Sequence, residues 1–394
     1  STLFPYTTLF RSVTITPEQF QRMAARCNPN TAASPSGFGY VVWRANGRSS
    51  VGTQIFSRLM SIPFEKGFAI QRWKKCVEIM LEKETGNPLI HRLRIIVLLE
   101  ADFNMALRAL WMKRLFPIAE KANFIDEQWG NRKMKSALDC LSMKLLTCES
   151  LRIMRRPAAL MAMDAAACYD RILTPLSNIS ERRYGLPKSA CVAKSKALFG
   201  MRRHVRTAYG DSERYYTSSP DRILHGECQG KTSSPPSWAL YTIPMLRALR
   251  KFNRGITCSD VEGQHCINRV ADMFVDDCNL WIEPATNASD SDLVRDFTTA
   301  AQAWERILFA SGGLLALHKC YWWLISWDWS QGLPVCRSPS VDEYAVGKSN
   351  GTDDATVPIK GLTLDEANVG LGFRLAPSGC LHSEIQHRKT MSDT

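Results

Sequence analysis

Long apolar stretches are missing from this chain of 394 residues. No apolar run approaches the length of about 18 residues that spans a bilayer. The N-terminus has no basic segment followed by an apolar stretch and a cleavage site, so no secretory signal is visible. A nuclear localisation run of five or more basic residues is missing too. We therefore expect a soluble intracellular protein, in the cytoplasm or the nucleus, with no membrane partner.

Closely paired cysteines are also missing. The 13 cysteines are an odd number, lie scattered from Cys27 to Cys380 and contain no Cys-x-x-Cys pair. This pattern is typical of reduced thiols and not of a disulfide framework. The tightest group, Cys258, His265 and Cys266, lacks the paired short spacings of a zinc site. We therefore expect neither a disulfide framework nor a zinc site.

Basic residues are in excess, with 50 Lys and Arg against 38 Asp and Glu and a formal net charge of +12. Such a charge attracts polyanions or anionic membrane surfaces but does not identify a fold. Nucleic acid is the leading partner, and charge that serves only solubility is the alternative. With 45% hydrophobic residues the chain can bury a large core, and its length predicts two or three subdomains.

The first 12 residues resemble a translated sequencing adapter, and we treat them as an artefact. Residues 1–54 are expected to be poorly ordered, with one short strand at residues 39–43. Uneven apolar spacing from residue 55 to about residue 81 predicts a strand or two followed by a helix. The elements predicted beyond them are a buried strand over 94–100, helices over 102–119, 133–156 and 188–205, a strand over 158–163 and a linker over 336–356.

Two acidic sites stand at the ends of apolar strands. Asp164 closes the apolar run 158–163, and Asp276 and Asp277 lie in the turn of a predicted hairpin. Two divalent cations about 4 Å apart, which clamp the attacking and leaving oxygens of a phosphoryl transfer, need several carboxylates on rigid backbone. An Asp-Asp pair in a turn is also a common structural feature. The apolar flanks favour metal binding, because adjacent carboxylates held against a core repel each other unless a cation neutralises them.

Three segments resemble the catalytic motifs of reverse transcriptases. Residues 164–170 resemble the first motif, in which an Asp is followed five residues later by an aromatic residue, here Tyr169. Residues 225–235 contain the Gln-Gly-x-x-x-Ser-Pro core of the second motif, and residues 271–277 end in the Phe-Val-Asp-Asp of the third. The second and third motifs differ from those of viral RNA-dependent RNA polymerases, which typically carry Gly-Asp-Asp in the third.

Four further segments keep the order of this family along the chain, so that the resemblance covers roughly residues 90–375. They are similar to elements of non-LTR retroelement enzymes, although Ile95 stands where the fingers motif usually has Pro. The segments are residues 94–99 with 113–115 (fingers motif), 128–132 with 135–139 (Gln-x-Gly-x-Arg element), 312–322 (fourth palm motif) and 371–375 (the Leu-Gly strand after the palm).

The resemblance implies an α/β (α+β) fold, that of a right-hand polymerase with an antiparallel palm sheet, helices behind it and a fingers subdomain. The implied subdomains are fingers at 55–157, a palm at 158–335 with inserted helices at about 185–215, and a post-palm linker with the start of a thumb at 336–394, so that the thumb is largely missing. The implied function is RNA-directed DNA synthesis from a primer, within a larger retroelement polyprotein. A catalytically inactive, nucleic-acid-binding relic is the alternative, and Tyr169 disfavours an RNA polymerase of the same shape.

The resemblance also implies a metal site of two Mg²⁺ ions, for which Mn²⁺ can substitute. Asp164, Asp276 and Asp277 are the implied ligands, together with the backbone carbonyl of Ala165. Lys319 is similar to the fourth-motif lysine that protonates the leaving pyrophosphate. These residues are the implied catalytic set.

The partners implied by the resemblance are dNTPs and an RNA or DNA template with its primer. Arg94 is expected to grip the triphosphate, since a guanidinium binds phosphate oxygens bidentately. Tyr169 is expected beneath the incoming sugar, where its ring excludes a 2′-hydroxyl. Gln229 and Gly230 are expected close to nucleotide and template, because Gly permits close backbone approach. The residues expected to follow the template-primer backbone are Arg202, Arg203 and Arg206.

Overall fold

The computed structural model describes residues 10, 12–32, 35–123, 125, 127–260, 262–284, 289–337, 345–347 and 356–393. The chain divides into two compact units. The N-terminal unit comprises Ser1–Ile125 and Tyr169–Tyr241, and the C-terminal unit comprises Asp126–Cys168 and Thr242–Thr394. Both contain helices and sheet, so the fold class is mixed α/β. No helix in the described part of the chain is both long and apolar enough to cross a membrane.

Helices and strands alternate along the chain. The α-helices are α1 (Pro17–Ala25), α2 (Tyr40–Asn46), α3 (Ser50–Lys66), α4 (Ala101–Leu107), α5 (Phe116–Lys121), α6 (Ala137–Ile153), α7 (Cys168–Arg171), α8 (Thr174–Arg183), α9 (Lys188–Phe199), α10 (Ser234–Leu249), α11 (Asp290–Ala310) and α12 (His382–Ser392). A π-helix, Arg108–Leu115, joins α4 to α5, and short 3₁₀ turns occupy Gln71–Lys74, Ile90–Arg92 and Leu317–Lys319.

The strands are short, most of them three to six residues long. They are β1 (Lys75–Glu82), β2 (Leu93–Leu98), β3 (Ala158–Asp164), β4 (Arg202–Thr207), β5 (Gly210–Asp211), β6 (Ile256–Ser259), β7 (Cys266–Arg269), β8 (Ala271–Phe274), β9 (Asp277–Ile282), β10 (Tyr321–Ile325), β11 (Trp327–Ser330), β12 (Leu333–Cys336), β13 (Ala345–Gly347), β14 (Thr356–Pro358), β15 (Lys360–Leu362), β16 (Asn368–Gly370) and β17 (Phe373–Leu375).

The N-terminal unit contains a four-stranded mixed sheet of order β2-β1-β4-β5. β1 pairs antiparallel with β2 and parallel with β4. Large aromatic side chains fill the core beside it: Trp73 stacks on Phe103 with ring centroids 4.8 Å apart and packs on Phe64 at 5.6 Å. The helix predicted over 102–119 is confirmed as α4, the π-helix and α5 in succession. The strand predicted over 94–100 is confirmed as β2, but it is an edge strand with exposed residues and not a buried one.

Two predictions for the first 81 residues are wrong. Residues 39–43 begin helix α2 and not a strand, because Trp43 packs edge-to-face on Phe56 at 5.2 Å and on Phe20 at 6.5 Å. This packing outweighs the strand preference of the neighbouring β-branched residues. From residue 55 onward the helix comes first, as α3 ends at the left-handed Gly67 (φ 73°), and strand β1 follows it. The described part of residues 1–54 thus contains helices packed into a core.

The helix predicted over 188–205 is also too long. It is confirmed as α9 only as far as Phe199, after which Gly200 caps it. Residues 202–207 form strand β4, which lies between β1 and β5. The basic residues of this segment therefore belong to a sheet and not to a helix end.

The C-terminal unit contains a five-stranded sheet of order β15-β10-β3-β9-β8. The four strands from β10 to β8 are antiparallel, whereas β15 pairs parallel with β10, so the predicted antiparallel sheet is a mixed one. Residues Cys148 and Leu151 of α6 pack with Leu160, Trp281 and Trp323 on one face of the sheet. On the opposite face α11 contributes Phe297, whose ring lies 5.2 Å from Trp322.

Several predicted elements of the C-terminal unit are confirmed. The helix predicted over 133–156 is α6, the strand ending at Asp164 is β3, and the hairpin around the Asp-Asp pair is β8 and β9. The segment 371–375 is not one strand but the turn and second strand of a hairpin, because Leu371 (φ 53°) and Gly372 (φ 83°) form the turn between β16 and β17. Most of the linker predicted over 336–356 lies outside the described residues, as do most of residues 1–12.

Candidate active site

Asp164 and Asp277 are register partners in the antiparallel pair β3–β9. Asp164 is the last residue of β3 and Asp277 is the first of β9, and both side chains are half-buried. Side chains two apart on a strand share a face, so Asp164 lies on the face of Leu160, against which α6 packs. Asp276 precedes Asp277 in the turn of the β8–β9 hairpin. The structure therefore brings the three predicted catalytic aspartates together where β3 ends and β9 begins.

The turn that carries Asp276 is held by the buried side chain of Gln128. Its Oε1 accepts a hydrogen bond from Val275 N at 2.9 Å, and its Nε2 donates to Val275 O at 3.2 Å. Val275 needs such support, because its φ of 60° is unfavourable for a β-branched residue. Gly130 N donates to the same Oε1 at 3.0 Å, and a Cβ on Gly130 would lie 2.6 Å from Val275 N. The Gln-x-Gly element thus clamps the acidic turn.

Lys319 reaches the acidic residues through the chain that follows α11. Ala316 N donates to Asp164 O at 2.9 Å, and Ala166 N donates to Leu314 O at 2.8 Å. The 3₁₀ turn that follows places Lys319 Nζ 2.8 Å from Asp164 Oδ2. This hydrogen bond raises the pKa of Lys319 above its ordinary value. The buried Ala165, which follows Asp164, forms an antiparallel bridge with Leu315 of this segment, so the implied catalytic set is gathered in the C-terminal unit.

Burial and the neighbouring carboxylates both act on Asp277. Burial, and after it the carboxylates of Asp276 and Asp164, raise the pKa of Asp277 to about 6. The opposing pull of Lys319 and Lys144 is smaller. A cation bound between the carboxylates would remove this repulsion.

Lys144 is a residue of this site that sequence reasoning missed. It is buried on α6, its Nζ donates to Asn279 Oδ1 at 3.1 Å, and it lies 4.9 Å from the centroid of the Trp323 ring. Burial lowers the pKa of its ammonium group. A signal was present in the sequence, because Lys144 falls at helical spacing between the core residues Leu141 and Cys148.

A cavity of about 190 Å³ opens beside these side chains. Asp164, Asp277, Lys319 and Lys144 line it, together with the β16–β17 turn residue Leu371. The site is thus a concave space with cations and carboxylates on its wall, as expected where a charged substrate binds.

The donor atoms at the site are carboxylate oxygens of neighbouring aspartates. No three His, Cys, Asp or Glu side chains in the described part of the chain form a ready-made metal cluster. Mg²⁺ is usually held by one or two carboxylates, with water and substrate phosphates completing its shell. Asp164 and Asp277, with Asp276 beside them, fit such a substrate-completed site.

The N-terminal unit gathers the predicted nucleotide-binding residues. Val97 N, on the strand β2 that also carries the exposed Arg94, donates to Gln229 O at 2.8 Å. Gly230 (φ 103°) lies so close that a Cβ would be 2.6 Å from Val97 O. Tyr169 O accepts a hydrogen bond from the N–H of Glu227, two residues before Gln229, at 2.7 Å. The second-motif loop is therefore fixed to β2 on one side and to the Tyr169 backbone on the other.

A buried charge network that sequence reasoning missed lies under this loop. Lys194 Nζ bonds to Glu181 Oε1 at 2.6 Å and to Glu227 Oε1 at 2.9 Å, and Lys231 bonds to Glu227. All four side chains are fully buried. Burial alone would lower the pKa of Lys194, but the two carboxylates raise it above its ordinary value. The network anchors both ends of the segment that contains Gln229 and Gly230.

The predicted nucleic-acid contact on β4 needs correction at Arg203. Its side chain is buried, with Nη1 2.9 Å from Glu78 Oε1, so it cannot reach a phosphate. Arg206 is exposed and paired with Asp211 at 2.6 Å, and Arg202 lies 5.7 Å from the Tyr215 ring centroid. Only Arg202 and Arg206 keep surface for such a contact.

Comparison with known proteins adds no name to this site. No family model matches the chain, and no curated protein is significantly similar to it. The motif order and the geometry described above are therefore the basis of any functional assignment. They define a mixed α/β chain whose C-terminal unit carries three aspartates and a lysine where β3 ends and β9 begins.

Proposed function

We propose that the chain is an RNA-directed DNA polymerase of a retroelement, with the five-stranded sheet as its palm. One observation carries the proposal: Asp164 and Asp277 are register partners, with Asp276 in the adjoining turn and Lys319 hydrogen-bonded to Asp164. Nucleotidyl transfer needs such carboxylates on rigid backbone next to a proton donor. In this account the enzyme acts inside the cell, within a larger retroelement polyprotein.

The residues of the C-terminal unit divide the chemistry between them. Asp164, Asp276 and Asp277 would hold Mg²⁺, with the Ala165 carbonyl as a further oxygen. When bound there, Mg²⁺ would supply Lewis-acid polarisation of the primer 3′-hydroxyl and neutralise charge on the leaving group. Lys319 carries a proton on Nζ and donates it to the leaving pyrophosphate. The neutral amine that remains no longer forms an ion pair with Asp164.

The residues of the N-terminal unit bind the incoming nucleotide. Arg94 grips the triphosphate, because its exposed guanidinium stands on a strand fixed to the second-motif loop. Gln229 and Gly230 present backbone to the nucleotide and template. Tyr169 limits the space for a 2′-hydroxyl, which favours deoxynucleotides. The ligands of this unit are dNTPs and an RNA or DNA template with its primer.

The rival function is a relic that binds nucleic acid without catalysis. The electrostatics at Asp277 favour the enzyme, because burial and the neighbouring carboxylates, which together raise its pKa to about 6, disfavour the charged form unless a cation is bound. A protein that only binds nucleic acid does not need Gln128 to hold the acidic turn in a strained conformation.

Primer extension tests the proposal. The full chain is given poly(rA)/oligo(dT), dTTP and Mg²⁺, and it is compared with Asp276→Asn/Asp277→Asn. We expect extension by the wild type and none by the double variant, while both bind the template-primer equally in a gel-shift assay. Equal binding without extension by either protein would contradict catalysis by this chain and favour the relic, or a truncated enzyme that needs its thumb.

A further inference from the structure

A basic groove on the N-terminal unit has no role in the proposed reaction. It lies between α1 and the π-helix and encloses a cavity of about 320 Å³. Its basic side chains come from both sides, and no acidic side chain among the described residues lines it. They are Arg22 of α1, its C-cap residue Arg26, and Arg108, Lys113 and Arg114 of the π-helix.

The π-helix explains why its basic residues share one face. Its hydrogen bonds run from residue i to residue i+5, so side chains five apart lie above one another. Arg108 and Lys113 are so related, as are Ala109 and Arg114, and all four line the groove. In an α-helix of about 3.6 residues per turn, residues five apart would point about 140° apart. The unusual helix thus concentrates positive charge that an α-helix would spread.

Arg114 holds the two sides of the groove together, whereas the other four basic side chains are exposed to solvent. Arg114 donates to Ser12 O at 2.6 Å and to Thr14 O at 2.7 Å, which ties the π-helix to the segment that enters α1. Arg26, Arg108 and Lys113 make no ion pair within the described ranges, and Arg22 has Glu18 of its own helix as an electrostatic neighbour.

We propose that this groove binds the sugar-phosphate backbone of a single-stranded nucleic acid. Its cations are spread around a space larger than one phosphate, and guanidinium groups hold phosphate oxygens bidentately. A cavity of about 320 Å³ admits a nucleotide or two of one strand, whereas a duplex is too wide for it. A membrane surface fits the groove poorly, because its apolar lining residues are not exposed for insertion between lipids: Met23 is half-buried and Ala109 is buried.

Fluorescence anisotropy with a labelled single-stranded poly(U) oligonucleotide tests the proposal, without Mg²⁺ or dNTPs. The groove variant of the full chain is Arg22→Gln/Arg26→Gln/Arg108→Gln/Lys113→Gln. The control variant removes four exposed cations of the same unit outside the groove, Arg48→Gln/Arg183→Gln/Lys188→Gln/Arg222→Gln. Thermal unfolding of each variant checks that it is folded, and all changed side chains are on the surface.

The expected effect of the groove variant is a smaller salt dependence of poly(U) binding. Each phosphate contact to a single strand contributes about 0.7 to the slope of log K against log salt, so the groove variant should lose about 2.8. The control variant should keep the slope of the wild type. Equal losses in both variants, or no loss in the groove variant, would overturn the proposal. Groove-dependent binding to anionic phospholipid vesicles with poly(U) binding unchanged would overturn it in favour of a membrane surface.

The groove stands independently of the catalytic assignment. Because the assay contains neither Mg²⁺ nor dNTPs, it reports on binding alone. A chain that binds poly(U) through the groove yet never extends a primer would support the groove and refute the polymerase. If the chain extends a primer but the groove variant binds poly(U) as tightly as the wild type does, the polymerase is supported and the groove is refuted.

Discussion

Asp164 and Asp277 face each other as the last residue of β3 and the first residue of β9. Neither position is set by the turn alone, because the register of the two strands decides which residues are opposed. A slip of one residue would move the side chains of a whole strand to the other face of the sheet. The packing of Leu160 and Trp281 against α6 therefore fixes the acidic pair as well as the core.

The raised pKa of Asp277 predicts how pH acts on the metal-free protein. The folded-state pKa is about 6, above the ordinary value of 3.8, so the folded protein binds this proton more tightly than the unfolded chain does. The resulting stability is fully present below pH 3.8 and is lost as pH rises through about 6. In EDTA, we expect the melting temperature of the wild type to fall between pH 5 and pH 7.5, and that of Asp277→Asn to fall less.

Mg²⁺ should reverse this loss. Added at pH 7.5, it should raise the melting temperature of the wild type, since a ligand that binds only the folded state stabilises it, and leave Asp277→Asn unchanged. Identical pH profiles for the two proteins in EDTA would show that Asp277 does not titrate as described.

Gln128 is expected to matter for rate as well as for stability. Gln128→Leu leaves Val275 N and O without their side-chain partner, which costs about 1–3 kcal/mol of unfolding free energy. Displacement of the acidic turn should slow dTTP addition about 100-fold, as small misplacements of catalytic groups do. Urea unfolding and single-turnover extension measure the two effects. The control is Gln54→Leu, on the exposed surface of α3. If Gln128→Leu adds dTTP at the same rate as Gln54→Leu, Gln128 does not position the acidic turn for catalysis.

Lys319 is expected to act on turnover and not on binding. Lys319→Met removes the ammonium group beside Asp164 and should lower kcat for dTTP addition by about 10²–10⁴-fold, with little change in the Kd for template-primer. Lys360→Met removes a comparable exposed lysine, 3.0 Å from Glu366, and should leave kcat unchanged. Equal kcat values for the two variants would make the Lys319–Asp164 contact an ordinary surface ion pair.

The buried network beneath the second motif is expected to be costly to break. Lys194→Met leaves Glu181 and Glu227 with less compensating charge, which should destabilise the N-terminal unit by about 3–5 kcal/mol. The paired change Lys194→Met/Glu181→Gln removes one charge of each sign and should recover part of this loss. Urea unfolding monitored by tryptophan fluorescence measures both. A loss under about 1 kcal/mol for the single variant would mean that the pair is weakly held.

The candidate site could be predicted from the sequence where local pattern decides structure. The apolar run before Asp164 and the flanks of the Asp-Asp pair each specify a strand without distant partners, and β3, β8 and β9 confirm both. Helix α6 was also predictable, from its apolar spacing. In the N-terminal unit, strand preference at residues 39–43 lost to the packing of Trp43, which depends on residues elsewhere in the chain.

The charge network shows why the rest could not be predicted. Lys194 lies on a helix, and nothing near it in sequence indicates that Glu181 and Glu227 will neutralise it in a core. Arg203 looked like part of a surface cluster because its partner Glu78 is 125 residues away. The Gln128 clamp likewise spans 147 residues to Val275, and only the folded chain reveals it. Partners distant in sequence are what sequence patterns fail to specify.

The most direct test of the account is the rate of the first dTTP addition on poly(rA)/oligo(dT) at saturating template-primer, measured across a Mg²⁺ titration. The wild-type chain is compared with Asp164→Asn and with Asp328→Asn, a matched loss of an exposed carboxylate on β11. We predict Mg²⁺-dependent addition by the wild type and Asp328→Asn, and none by Asp164→Asn. Addition by Asp164→Asn at the wild-type rate would contradict the assignment of the β3–β9 aspartates as the catalytic centre.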